Sequence, residues 1–246
     1  MEFIRIAVLG LLLFPIAQAQ PGTQPVSKLR FLFLDESPGA YSVKVNTHFQ
    51  QLSTSPYAVS APFTPEAGDH IDLYKTNPIA DPKTGKIERI KIATVTPPIN
   101  SASALVIVSP RPQLNGSATA PAYNIEVIDS DPRTFPAGSL RILNRGFAAM
   151  AAQFGPDQVV TQPGATQLVH PDADQRNRVY TKVAVQSAGN WKLIYNAMTI
   201  VRPTERVTGI FVYSPSGMIQ NYTADEIEQH GPPPPAHFWL TFSESL

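Results

Sequence analysis

Cysteine is absent from this chain of 246 residues. That removes thiol nucleophiles, iron–sulfur clusters, cysteine-based zinc sites and blue-copper sites. It also removes disulfides, so apolar burial must hold the fold, and the chain is long enough for that. Charge is scarce as well, at 15% of residues, with 19 basic and 19 acidic side chains. A balanced chain has no global field to draw in nucleic acid or anionic lipid, so no nucleic-acid partner is expected. Beyond the first twenty residues no apolar run approaches the roughly 20 residues of a membrane-spanning helix, so no transmembrane anchor is expected in the mature chain.

Proline is abundant, at 25 residues. It disfavours long helices and favours short strands joined by turns. The N-terminus has its own pattern. Arg5 precedes the uncharged run Ile6–Ile16, and Ala17-Gln18-Ala19 follows with small residues where a signal peptidase reads. This is the layout of a secretory signal, although Glu2 is atypical for its basic region. The competing reading is an N-terminal strand or buried anchor. We expect residues 1–19 to be removed, 20–27 to be a linker, and the mature protein to be periplasmic or extracellular. With no Cys after the run, lipid anchoring at that point is excluded.

Strand signals fill the remainder. Leu29–Leu34 is a dense apolar run that ends at the turn cluster Asp35–Gly39. Tyr41, Val43 and Val45 alternate with polar residues, as do Tyr123, Ile125 and Val127. This period of two buries one face and wets the other. Val179, Thr181, Val183 and Val185 share a face, as do Trp191, Leu193 and Tyr195, and Ser187-Ala188-Gly189-Asn190 reads as a hairpin turn between them. Further strands are expected around Ile71, Ile90, Leu105–Val108, Leu140–Leu143, Ile210–Tyr213 and Phe238–Phe242. Ala148–Ala152 has helix propensity but is short enough to be a strand. Thr223–Glu226 resembles a single capped turn, and Pro232–Pro235 is a polyproline spacer. The expected core includes Phe31, Phe33, Val43, Val106, Val108, Ile142, Val183, Leu193 and Phe211.

An internal repeat shows in the strand order. Leu29-Arg30 opens one half and Ser109-Pro110 closes its last apolar strand. Leu140-Arg141 and Ser214-Pro215 do the same in the other, and each half has a Pro/Gly turn midway, at Pro65–Gly68 and Pro163-Gly164. The Pro-rich stretch Asp129–Gly138 lies between them and suits a linker. The expected fold is all-β, with two tandem Ig-like β-sandwich modules at 28–131 and 132–246; the alternative is one large β-sandwich. LRFLFLDESPGAYSVKVN (29–46) resembles the opening of small secreted bacterial β-sandwich domains of unknown function, and FPAGSLRILN (135–144) resembles the opening of related second modules. The resemblance implies a fold; it carries no activity, so no residue inherits a role.

Chemistry-bearing motifs are few. His170, Asp172 and Asp174 in one loop suit a cation or acid/base chemistry, and also an ordinary turn. Asp69-His70 and Glu228-Gln229-His230 are weaker pairs. Ser214 and Ser216 lie outside the nucleophile-elbow pattern, Lys83–Lys86 lacks the rest of a phosphate loop, and Asn115 and Asn221 head glycosylation sequons. Tyr57, Phe63, Tyr74, Phe147, Phe154, Trp191, Tyr195 and Trp239 are the aromatic candidates for a sugar platform, against a core role. No catalytic, cofactor-binding or metal residue is nominated. The expected function is an exported, non-catalytic structural or interaction module of the cell envelope with a protein or glycan partner. A carbohydrate- or ligand-binding module comes second and an exported hydrolase third.

Overall fold

The computed structural model describes residues 28–36, 39–45, 47–53, 55–65, 70–77, 79–111, 123–217 and 236–245. The expected signal segment and N-terminal linker, the two sequons, Thr223–Glu226, Glu228–His230 and Pro232–Pro235 lie outside them, as do Asp69 and most of the first midway turn. Among the described residues there are fifteen strands and no helix. The first half contributes β1 (Lys28–Phe33), β2 (Ala40–Val45), β3 (His48–Ser53), β4 (Ile71–Thr76), β5 (Arg89–Val95), β6 (Ser103–Pro110) and β7 (Tyr123–Asp129). The second contributes β8 (Leu140–Arg145), β9 (Met150–Phe154), β10 (Asp157–Thr161), β11 (Thr166–Val169), β12 (Arg178–Ser187), β13 (Asn190–Ile200), β14 (Glu205–Ser214) and β15 (Ala236–Ser245). The alanine-rich stretch thus feeds strand β9.

Four sheets result, and none mixes the halves. Sheet A runs β1-β6-β7, sheet B β3-β2-β4-β5, sheet C β11-β8-β14-β15 and sheet D β10-β9-β12-β13. The halves repeat one topology. β1 lies parallel to β6 as β8 lies parallel to β14, with an antiparallel strand after each. Sheets B and D have the same strand order. Even β11 has a counterpart: Val59 and Phe63 bridge antiparallel to Leu32 and Leu29 along the same edge.

Each half buries its own core, because alternate side chains of facing sheets point inward. Phe31, Phe33, Val43, Leu73, Val106 and Val108 pack between sheets A and B. Ile142, Phe154, Val183, Phe211 and Trp239 pack between C and D. A third cluster fills the space between the halves: Leu32, Leu105 and Ile107 from sheet A meet Leu143, Ile210 and Val212 from sheet C. The uninterrupted apolar runs of β1, β6 and β14 follow from this, since both faces of those strands are covered. The layers therefore stack in the order B, A, C, D.

Two expectations need correction. Leu193 is 52% exposed, not core. A bulge at Ile194 inserts one residue opposite the Val183–Ala184 step, so Tyr195 pairs with inward Val183 while Leu193 pairs with outward Ala184. One extra residue flips the alternation, which also turns Trp191 outward. The stretch between the halves, expected to suit a linker, is a hydrogen-bonded corner. Asp131 is buried, its side chain accepts from the Ala102 and Arg133 amides, and its carbonyl accepts from Thr134 and Phe135. The expected β12–β13 hairpin is present, with Ala188 and Gly189 both at positive φ (48° and 81°), as its two-residue turn requires.

Candidate functional site

The seam between sheets A and C has polar groups at both ends. At one end Phe135 is buried between two guanidiniums, with Arg141 4.2 Å and Arg206 5.3 Å from its ring centroid. Arg206 pairs with Glu244 at 3.0 Å, both buried. Arg141 has no such carboxylate partner. It donates to the Asp129 carbonyl, to Ser130 and to Thr208, and burial pulls its pKa down to about 10. These contacts tie the halves together across the chain.

At the other end the strands β1, β6, β8 and β14 all finish. Glu36 reaches from the first half to the second: it accepts from the Ser214 hydroxyl and, at 3.1 Å, from the Ser216 amide, while Tyr57 donates at 2.6 Å. Burial raises the pKa of this carboxyl, but the donors from Ser214, Ser216 and Tyr57 outweigh it and hold the group below its ordinary value. The neighbouring Asp35 accepts from Tyr41, Lys75 and Tyr123 at 2.5, 2.6 and 2.7 Å. Burial and the Asp35 charge push both tyrosines up; for Lys75, burial opposes the charge and the Asp35 carboxylate more than restores it. Arg145 spans the seam to Glu126 at 2.6 Å. Around these groups lies a cavity of about 400 Å³ whose apolar wall includes Leu34, Pro110, Phe147, Val212, Tyr213 and Pro215. Phe147 stands 73% exposed at its rim, edge-on to Tyr213. Because Asp35, Glu36 and Arg145 are bonded within the protein, the cavity offers apolar surface more than charge.

The sequence candidates are dispersed. Asp174 forms its own turn: it accepts from the Arg176 and Arg178 amides and binds the Arg178 guanidinium at 2.8 Å, which holds its pKa at about 2. His170 and Asp172 are exposed. His70 contacts Thr96. Asp81 organises the Lys83–Lys86 turn through the Lys83 and Thr84 amides. Among the described residues no three His, Cys, Asp or Glu side chains gather as a metal site, and no helix is long and apolar enough to cross a membrane. Of the aromatic candidates, Phe63, Phe154 and Trp239 are core, Tyr57, Tyr74 and Tyr195 are half-buried, and Phe147 and Trp191 are exposed.

Sequence reasoning missed the surface that stands out most, the outer face of sheet D. Val160, Tyr180, Trp191, Leu193, Met198 and Ile200 are all exposed there. The alternation of β12 signalled Tyr180; the bulge that turns Leu193 and Trp191 to the same face leaves no local signature. No protein-family model matches the chain, and no curated protein matches it.

Proposed function

We propose that this chain is an exported, non-catalytic interaction module of the bacterial cell envelope that engages its partner through the outer face of sheet D. The observation that carries this reading is the set of six large apolar side chains exposed on one side of one sheet. Single exposed apolar residues are ordinary, whereas six on one face of one sheet, grouped on either side of the Lys182–Asn196 row, mark a surface that meets a partner. Export rests on the charged start, apolar run and Ala17-Gln18-Ala19 of the N-terminus. The repeated topology supports two β-sandwich units at 28–131 and 132–246, and so does the resemblance to secreted bacterial β-sandwich domains.

A photo-crosslinking residue at position 193, in the cell that exports the protein, tests this reading. A shifted species from position 193, absent when the crosslinker replaces Lys91 on the outer face of sheet B, is expected. No shifted species, or the same one from both positions, would show that this face is not the working surface. Small-ligand binding is a second reading, favoured by the cavity at the seam, whose volume falls in the range of small-molecule sites.

A further inference from the structure

We infer that the outer face of sheet D is a trough for a polysaccharide chain lying across the strands, an assignment that rests on this face being the working surface. Strand register builds the trough. Val160 pairs with Ala151, Ala151 with Ala184, and Ala184 with Leu193, so four side chains form one line across all four strands. The two central residues are alanines, while Val160 and Leu193 stand up at the two ends of the line, 60% and 52% exposed. The floor is therefore low in the middle and apolar throughout, and it encloses about 250 Å³.

The adjacent row has the opposite chemistry. Gln158 pairs with Gln153, Gln153 with Lys182, and Lys182 with Asn196. Three are uncharged amides, which both donate and accept. The Gln153 side chain donates to the Gly155 carbonyl at 3.0 Å; among the described residues the side chains of Gln158, Lys182 and Asn196 make no hydrogen bond. Lys182 lies over the Tyr180 ring at 5.3 Å, and Trp191 stands exposed on the other side of the alanine line.

An apolar floor beside a rail of amides matches a sugar ring, which carries C–H groups on its faces and hydroxyls at its rim. Strands lie roughly 4.8 Å apart. This spacing is close to the repeat of a linear pyranose chain, so β10, β9 and β13 can each offer one amide, and β12 the Lys182 amine, to successive rings. A protein strand would add to a sheet edge, where backbone groups are unpaired; here the trough crosses the middle of the sheet. A nucleic acid would bring phosphates, and β12 offers them only Lys182 and an Arg178 that is already paired with Asp174.

Native gels cast with hydroxyethylcellulose, a neutral polymer, or with alginate, an acidic one, test the assignment on the chain lacking its signal segment. Retardation is expected in at least one gel. It should fall at least tenfold in apparent affinity in Gln153→Ala/Gln158→Ala, and again in Ala151→Phe, which fills the trough. Thermal melting checks that both variants are folded, and a folded Leu193→Gln variant serves in place of either that is not. If alginate is the better ligand, Lys182→Gln should abolish that preference. Retardation in neither gel, or retardation that folded variants leave unchanged, would overturn the polysaccharide. A protein-sized crosslink from position 193 without retardation would remove the ligand and leave the working face standing, whereas no crosslink would remove the face itself.

Discussion

The two halves of the chain share one strand order and differ in what they do with their outer sheets. On sheet B the outer side chains are engaged with one another. Lys91 binds Asp72 at 2.6 Å, Asp72 also accepts from Thr94, Phe49 lies edge-on to Tyr74, and Arg89 stacks over Phe49 at 4.6 Å. On sheet D the corresponding face leaves amides unbonded and apolar groups in water. The strands differ to match: β12 and β13 have 10 and 11 residues, against 6 and 7 for β4 and β5. This contrast between a self-satisfied face and an unsatisfied one is what the proposed binding role of the second half rests on.

The most severe way to break this comparison is to separate the halves. Residues 24–131 alone would expose Leu32, Leu105 and Ile107, and residues 132–246 alone would expose Leu143, Ile210 and Val212. Each fragment would also leave polar groups behind, since Arg206 would lose the Ser103 and Ser130 oxygens. We expect neither fragment to be a stable monomer and the two to associate when mixed, as read by light scattering and circular dichroism. Two monomeric fragments that melt cooperatively and ignore each other would mean that the seam contributes little.

How much of this was legible in the sequence depends on the range of the interactions. Alternation exposed the inward faces of β2 and β12, because period two is a local property. The apolar runs of β1, β6 and β14 were readable as strands, yet what covers their second face was not, since it is the other half of the chain. Leu193 was misplaced because a single bulge reverses its side. The polar β3 and the short strands β10 and β11 gave too little apolar pattern to be seen. The Glu36–Ser214 contact joins residues 178 positions apart, so no motif could announce it. The floor of the trough was hidden for another reason: Ala148–Ala152 reads as helix propensity or filler, and its meaning emerges only when Ala184 lies beside Ala151.

A smaller effect sharpens the likeness of the halves. Aligning Leu105 with Ile210 sets Ala104 against Gly209. A Cβ built at Gly209 would collide with the Trp239 indole, a ring of the second core with no tryptophan counterpart in the first. Gly209→Ala should therefore cost about 1–3 kcal/mol through overpacking, with a red-shifted Trp239 emission. Ala104→Gly should cost about 0.5–1 kcal/mol, the ordinary glycine penalty in a strand. Trp239→Leu should recover part of the Gly209→Ala loss in denaturant melts. Equal costs at the two positions would deny that the indole is the cause.

The smallest expected effect lies at the mouth of the seam. Aligning Leu29-Arg30 with Leu140-Arg141 sets Glu36 against Phe147, and aligning Leu105 with Ile210 sets Ser109 against Ser214. Glu36 crosses to Ser214, whereas Phe147 turns to Tyr213 and stays exposed, so the latch is one-sided. Its pKa lies below the ordinary 4.5 in the folded protein. A carboxyl lowered by folding stabilises above its unfolded value, and that stability is lost as pH falls through the folded one. Glu36→Gln should thus destabilise the protein at pH 7 by no more than about 1 kcal/mol, since the group is largely solvent-screened. The gap from wild type should narrow as pH falls below 4.5, because the wild-type carboxyl then becomes neutral as well. Ser214→Ala should show the same pH dependence, and Phe147→Ala none. Denaturant melts of the three variants between pH 7 and pH 3 read this directly. A gap for Glu36→Gln that stays constant with pH would place its cause in packing instead of charge.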